Sequence, residues 1–242
     1  MNPLHDPALR GPAPLGRGAG VGVDAGLRRH MLSIYRHMGV GLLVTAAVAL
    51  GVAATPPLAA LIFGTPLKWV AMFAPLAFVM FMSFRFERMS SGQVRAAFYG
   101  FAAVMGVSMA SLFLVFTGQS IALAFASAAV MFLGMSLWGY TTNRDLTRMG
   151  SFLMMGLLGI IVASLINLLV GSSALQLAVS LIGVVVFTGL TAWDTQRAKG
   201  EYLAYAGSGE TEKLALFSAL SLYLNLINLF QLLLSFMGQR EE

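Results

Sequence analysis

The 242-residue sequence contains no cysteine and only three histidines. The absence of cysteine excludes disulfides, thiol catalysis and cysteine-ligated metal sites. The histidines are His5, His30 and His37, so none lies deep in an apolar segment, and neither an HExxH zinc motif nor an intramembrane serine–histidine pair is present. No P-loop or dinucleotide-binding glycine pattern follows a strand-like run. We therefore expect the protein to be neither an enzyme nor a cofactor carrier.

Charged residues are also scarce. They make up 10% of the chain, whereas 58% of the residues are hydrophobic, and soluble domains average about 25% charged residues. A water-soluble domain of this length needs much more polar surface than this composition provides. The composition indicates an integral membrane protein, with a very apolar soluble helical bundle as the alternative class.

Five long segments contain no formally charged residue, namely 37–67, 69–84, 96–143, 149–193 and 214–239. About 20 apolar residues cross a hydrocarbon core of roughly 30 Å as a helix. The third and fourth segments are long enough for two crossings each, and each has a polar break near its middle. The sequence therefore predicts seven spans, at about 32–54, 67–86, 93–116, 120–142, 149–170, 174–195 and 212–237.

The distribution of positive charge predicts the orientation of these spans. With the N-terminus in the cytoplasm, thirteen of the fifteen Lys and Arg residues fall on the cytoplasmic side, and only Lys68 and Arg240 fall on the other. Such an excess is typical of cytoplasmic loops. The net charge of +5 therefore indicates topology in a lipid bilayer and not a nucleic-acid partner.

We predict two regions in this all-α, seven-transmembrane-helix protein. Residues 1–27 are rich in Gly, Pro and Arg and are expected to be a flexible cytoplasmic tail. Residues 28–242 are expected to form the transmembrane domain. The longest soluble connection is predicted at 197–211, on the cytoplasmic side.

One carboxylate, Asp194, lies near the cytoplasmic end of the sixth predicted span. A charge at the centre of a membrane helix costs about 2.5–3.5 kcal/mol on insertion scales, so retained charges are candidates for function. The alternative is that Asp194 has simply reached the headgroup layer, where Arg197 or Lys199 would pair with it. The sequence leaves both interpretations open.

The seventh span carries polar residues at intervals of three and four, namely Ser221, Asn225 and Asn228, with Gln231 one step further. This spacing places them on one face of the helix. They could serve as interhelical hydrogen-bonding groups, worth on the order of 0.6 kcal/mol each. They could also line the interior of the bundle, and we therefore expect the last span to be central.

Three segments, at 139–152, around Asp194, and at 222–230, together resemble the Bax inhibitor family, also called the transmembrane Bax-inhibitor-motif family. The sequence is most similar to its bacterial YccA-like branch, from about residue 30 to the end. The resemblance implies a multi-pass protein of the bacterial inner membrane with a central last helix. It also implies a pH-sensitive leak of calcium, gated by two aspartates that share a proton near the cytoplasmic side.

Asp194 matches the first aspartate of this family pattern, and it is the candidate calcium or proton site. Arg88 matches an arginine that can pair with that aspartate. At the position of the second aspartate, however, the sequence has Asn225. An amide does not titrate, and its NH₂ group would donate to the Asp194 carboxylate and favour the ionised form.

We therefore expect the proton-sharing pair to be absent and calcium handling to be weaker or differently gated, because calcium prefers several carboxylate ligands. Asp145 is a poor substitute, since its position between Arg144 and Arg148 is more consistent with a charge-balanced helix start.

Two functions remain open at this point. The first is a cation leak channel or transporter whose gating or pore-lining residues are Asp194, Asn225, Arg88, Asn228 and Ser221. The second is a regulatory partner of a membrane protease complex resembling FtsH, with no transport of its own. The basic tail and the 197–211 connection would then be the exposed surfaces for contact.

Overall fold

The computed structural model describes residues 17–85, 88–206 and 210–239, with side chains from residue 25 onward, and this part of the chain is helical without strands. The helices are α1 (Arg17–Ala53), α2 (Pro56–Phe63), α3 (Leu67–Arg85), α4 (Ser91–Met109), α5 (Leu112–Val115), α6 (Gly118–Thr141), α7 (Thr147–Val170), α8 (Ser173–Tyr205) and α9 (Thr211–Met237). Seven helical stretches are long and apolar enough to cross a membrane. The predicted all-α, seven-span architecture is confirmed.

Helix α1 begins earlier than the sequence suggested. It is already helical at Arg17, inside the segment expected to be a flexible tail, while residues 1–16 of that segment lie outside the described residues. Leu27, Met31 and Ile34 lie at helical spacing and are buried in the core. Because Leu27 on this apolar face lies before the predicted boundary at residue 28, the helix crosses that boundary and does not begin there.

Helix α8 ends later than the sequence suggested. It has 33 residues, which corresponds to about 50 Å and exceeds the roughly 30 Å hydrocarbon core. Residues 197–205, predicted as part of a soluble connection, therefore extend the sixth span as a continuous helix. The connection to α9 shortens to 206–210, of which residues 207–209 lie outside the described part of the chain.

Helix α9 lies at the centre of the bundle, as predicted. In an apolar stretch of 18 residues within α9, 50% of the residues are buried, compared with 11% in the corresponding stretch of α7. It packs against α1, α4, α6 and α8, whereas α7 packs mainly against α8. The buried polar side chains of α9, which include Ser218 and Asn225, therefore face other helices.

Neutral hydroxyl groups connect several of these helices, and we call them the hydroxyl network. Its members are Tyr35, Thr45, Ser136, Thr195 and Tyr223. The Thr45 and Tyr223 hydroxyls lie 2.6 Å apart, and Thr45 also donates to the Ala102 carbonyl of α4. Ser136 contacts both Tyr35 and Thr195, the latter at 3.0 Å.

Helix α8 is fixed against α6 and α7 around residues 192–196. Gly139 of α6 lies against the backbone of Ala192, and Gly150 of α7 lies against the Trp193 ring, so that a Cβ at either glycine would overlap its neighbour. The Gln196 side chain accepts a hydrogen bond from the Leu146 amide at 2.9 Å and donates to the Arg144 carbonyl at 2.8 Å. These contacts set the position and rotation of α8 where it carries Asp194.

Candidate functional site

Asp194 is turned into the bundle and away from water. It lies about 30 Å along α8 from Ser173, close to the level at which a hydrocarbon core of roughly 30 Å ends. Its residue is only 6% exposed. The acid is therefore near the cytoplasmic boundary of the span but is covered by protein, in the interface between α8 and α9.

Both carboxylate oxygens of Asp194 have a partner. Oδ1 is 2.8 Å from Nη2 of Arg197, one turn along the same helix. Oδ2 accepts a hydrogen bond of 2.7 Å from Nδ2 of Asn225 on α9. The structure thus contains the amide–carboxylate contact expected from the sequence, and it selects Arg197 as the cationic partner. Lys199 instead donates to the Tyr140 carbonyl at 3.1 Å.

Three such contacts follow one another along the α8–α9 interface, and we call this set the polar ladder. The pairs are Asp194 with Asn225, Arg197 with Ser221, and Glu201 with Ser218. Their donor–acceptor distances are 2.7, 3.1 and 3.3 Å. The ladder forms because the members on each helix are spaced by three or four residues, so each set occupies one face, and the two helices run antiparallel.

Arg197 is the middle member of the polar ladder and has two carboxylates within reach. Its Nη2 contacts Asp194, and its Nε lies 3.5 Å from Oε1 of Glu201 without completing a hydrogen bond there. The guanidinium also lies 4.9 Å from the centre of the Trp193 ring and 5.8 Å from that of Phe217. These aromatic faces provide cation–π contacts. The buried Nε of Arg197 has no hydrogen-bond acceptor among the residues that the structure describes.

A cleft of about 500 Å³ opens beside Arg197. The residues that line it are Thr147, Trp193, Gln196, Arg197, Gly200, Glu201, Ala204 and Tyr205. Asp194 is not among them, although both Arg197 and Glu201 are. The Arg197 side chain therefore lines the cleft and also contacts the buried carboxylate.

The sequence of this chain matches the model of a known protein family. The family model described as "Inhibitor of apoptosis-promoting Bax1" matches residues 27–242. The chain belongs to the Bax inhibitor family. The match covers all seven spans and both helices of the polar ladder.

Bacterial relatives support the assignment over nearly the whole chain. The inner membrane protein YbhL of Escherichia coli strain K12 is 42% identical over 219 residues, which cover 89% of this chain and 94% of YbhL. The protein RP147 of Rickettsia prowazekii is 44% identical over 219 residues, covering 90% and 93%. A Caulobacter vibrioides protein is 42% identical over 234 residues, covering 93% and 94%. This Bax inhibitor family protein is a multi-pass protein of the bacterial inner membrane.

Arg88, the arginine implied by the family pattern, is not at the site. It follows the end of α3, its side chain is exposed, and within the described part of the chain it forms no ion pair with Asp194. Asp194 is paired instead with Arg197, three residues along its own helix. In this Bax inhibitor family protein the negative charge of Asp194 is balanced by Arg197 of the same helix, α8.

The other predicted residues divide between the site and the helix ends. Ser221 joins the polar ladder. Asn228 does not, because its side chain donates to the Leu224 carbonyl of its own helix at 2.8 Å. Asp145 is exposed, and its Oδ1 accepts a hydrogen bond from the Thr147 amide at 2.9 Å. Hydrogen bonds from Thr147 hold the pKa of Asp145 below its ordinary value, as expected for a carboxylate at a helix start.

Glu201 and Ser218 are not among the site residues predicted from the sequence. Their spacing could have indicated both, because Glu201 lies seven residues after Asp194 and Ser218 lies seven residues before Asn225. Positions seven apart share a helix face. The predicted soluble connection at 197–211 contains Glu201, so the sequence does not place Glu201 on the face of α8 that carries Asp194.

The polar ladder offers oxygen ligands but not a dense metal site. Within the described residues there is no group of three or more His, Cys, Asp or Glu side chains placed to hold a metal ion. Two carboxylates, an amide and two hydroxyl groups are the available ligands, of the type that hard cations prefer. A cation that binds Oδ1 of Asp194 would have to displace the Arg197 guanidinium, which lies 2.8 Å from that oxygen.

Proposed function

We propose that this Bax inhibitor family protein is a cation leak channel or transporter in which Asp194 is the internal charge and Arg197 occupies its site in the closed state. The observation that carries this proposal is a carboxylate, 6% exposed, whose cationic partner is shared with a second carboxylate. The proposed activity is passive and involves neither catalysis nor a cofactor.

The charge balance of the polar ladder supports attraction of cations. Asp194 and Glu201 carry two negative charges, and Arg197 carries one positive charge. Carboxylates that face a bundle interior at membrane depth are typical of ion pathways. The cleft beside Arg197 would provide access to this site from the cytoplasmic side.

The ligands favour weak binding of calcium, with competition from protons and monovalent cations. Calcium usually takes 6–8 oxygen ligands, several of them carboxylates. Here an amide stands where the family pattern has a second aspartate, and its Nδ2 is used as a donor to Asp194. We therefore propose low selectivity among cations.

The test is cation flux in proteoliposomes, comparing the unmodified chain with Asp194→Asn. The substitution removes the charge but keeps the size, so flux of Ca²⁺, Na⁺ or K⁺ should fall by about tenfold or more, the scale of one charge-assisted contact. The matched control is Asp145→Asn, which removes a carboxylate from the exposed loop and should leave the flux unchanged. Equal fluxes through the unmodified chain and Asp194→Asn would refute the proposal.

The alternative proposal is a non-transporting regulatory partner of a membrane protease complex. The surface available for it is smaller than the sequence suggested, because residues 197–205 continue α8 and both Arg197 and Lys199 make contacts within the chain. Gentle detergent extraction followed by pull-down tests this alternative. Co-purification of a protease complex, in a protein that shows no cation flux, would favour it, and recovery of the chain alone would count against it.

A further inference from the structure

We propose that Glu201 is the second carboxylate of the Asp194 site, and that Arg197 exchanges between these two carboxylates to close or open access to Asp194. This inference rests on the cation pathway proposed above. It assigns to Glu201 a positioning role, acting through Arg197. Glu201, on α8, thereby provides a second acidic group for the site, because α9 has Asn225 and not an aspartate at the matching position.

The Arg197 side chain reaches both carboxylates of the polar ladder. Asp194 precedes it by three residues and Glu201 follows it by four, and both spacings bring side chains together on one helix face. Exchange therefore requires only rotation of the arginine side chain. No helix has to move, and α8 remains fixed by its contacts with α6 and α7.

The guanidinium of Arg197 is incompletely hydrogen-bonded within the described residues. It is 2.8 Å from Asp194 but 3.5 Å from Glu201, and its buried Nε has no hydrogen-bond partner in the described residues. A buried donor without an acceptor is unfavourable, and the nearest carboxylate is that of Glu201. A small movement toward Glu201 would satisfy Nε while it releases the Asp194 oxygen.

Glu201 is held in position by a hydrogen bond from α9. Its Oε2 accepts a hydrogen bond of 3.3 Å from Ser218 on α9, and its side chain is 24% exposed. Glu201 is thus held in place by the polar ladder and is still in contact with the cleft. It can receive the arginine without leaving the interface.

The cleft lies on the Arg197 and Glu201 side of the polar ladder. Both of these residues line it, whereas Asp194 does not line it and is in contact with Arg197. Withdrawal of Arg197 toward Glu201 would therefore expose Asp194 to a cation that arrives through the cleft. The same movement would change the distance from the guanidinium to the Trp193 ring, which is 4.9 Å in the present structure.

The experiment combines flux with the fluorescence of Trp193. Replacing Trp69 and Trp138 by Phe leaves Trp193 as the single tryptophan, because the chain contains three. Glu201→Gln is compared in this background with Glu212→Gln, whose exposed carboxylate pairs with Arg95 away from the polar ladder. Glu201→Asp serves as the conservative variant that retains the charge.

Glu201→Gln should lower cation flux by about tenfold, because Arg197 then stays on Asp194. It should also shift the Trp193 emission, while Glu212→Gln changes neither signal and Glu201→Asp recovers most of the flux. In an Arg197→Gln background the Glu201→Gln substitution should have no further effect on flux, since Glu201 acts only through Arg197.

Two results separate this inference from the proposed function. If Asp194→Asn abolishes flux but Glu201→Gln behaves like Glu212→Gln in both signals, the exchange is refuted and the cation pathway stands. If Asp194→Asn leaves flux unchanged, the pathway is refuted, and the Trp193 emission of Glu201→Gln alone still tests whether Glu201 positions Arg197. Equal effects of Glu201→Gln with and without Arg197 would also overturn the inference.

Discussion

Two neighbouring residues of α8 belong to two different polar regions of the bundle. Thr195 belongs to the neutral hydroxyl network and contacts Ser136 of α6. Asp194 belongs to the charged polar ladder and contacts Asn225 of α9. The two side chains point to different neighbours because successive residues of a helix are rotated by about 100°.

The two regions differ in how completely their groups are bonded. In the hydroxyl network, Thr195 and Thr45 each donate to a backbone carbonyl and contact another hydroxyl as well. In the polar ladder, Arg197 is shared between two carboxylates, and its Nε has no hydrogen-bond partner in the described residues. Fully bonded hydroxyl groups are typical of helix packing. An arginine shared between two carboxylates can exchange between them, as proposed above for Arg197.

The largest expected effect comes from adding a charge to the polar ladder. Asn225→Asp would place a carboxylate 2.7 Å from Asp194, where the amide nitrogen now donates. Two carboxylates in contact do not easily ionise together, so the pair should share a proton near neutral pH. Flux should then fall by about tenfold over roughly two pH units as the pH is lowered and this proton binds.

The measurement is the pH profile of cation flux in proteoliposomes for Asn225→Asp and the unmodified chain. The matched control is Asn228→Asp, which adds the same charge at a position outside the polar ladder. A profile of Asn225→Asp that is no steeper than that of the control would show that the two-carboxylate behaviour does not transfer to this site.

A smaller effect is expected from removing the hydrogen bond between Arg197 and Ser221. Ser221→Ala removes the hydroxyl that accepts a 3.1 Å hydrogen bond from Nη2 of Arg197 and leaves both carboxylates in place. One such bond contributes about 1 kcal/mol, so flux should rise by about fivefold. The measurement is the same flux assay, with Ser151→Ala on α7 as the control, and a decrease in flux would contradict this role for Ser221.

A substitution in the hydroxyl network should affect stability but not flux. Tyr223→Phe removes the hydroxyl that contacts Thr45 at 2.6 Å and retains the ring between Phe98 and Phe101. Loss of this buried hydrogen bond should cost about 1 kcal/mol of stability. Thermal unfolding in detergent checks the cost, and a flux change larger than about twofold would place Tyr223 in the pathway.

The smallest effect is expected at Asp145. Because the pKa of its carboxyl is held below the ordinary value of 3.8 by hydrogen bonds from Thr147, its contribution to stability is present above that value and is lost as the pH falls through the folded-state pKa. Asp145→Asn should therefore lower the melting temperature by less than about 2 °C at pH 7, and not at all in strong acid. An equal decrease at both pH values would contradict the assignment.

The sequence predicted the parts of this structure that follow from composition and periodicity. The seven spans and the central α9 are confirmed, because the length of apolar segments and the spacing of polar residues reflect the bilayer and the helix period. The Asp194–Asn225 contact was also predicted correctly, from the family pattern together with the chemistry of an amide.

The parts that were not predicted depend on where helices end and on which neighbours they meet. Because charge usually marks the end of a span, the sequence predicts a soluble connection from residue 197, yet α8 continues to Tyr205 and places Glu201 in the interface with α9. Arg88 matches the family pattern and follows the predicted end of the second span, as it follows α3 in the structure. That Asp194 pairs with Arg197 instead depends on how the side chains pack.

The most direct test of the account is the cation flux of Arg197→Gln. If Arg197 closes the path to Asp194, this variant should conduct about tenfold faster than the unmodified chain, and the increase should disappear when Asp194→Asn is added. Thermal unfolding in detergent establishes that the variant is folded. A folded Arg197→Gln protein with unchanged flux would contradict the central claim that Arg197 occupies the site of the internal charge.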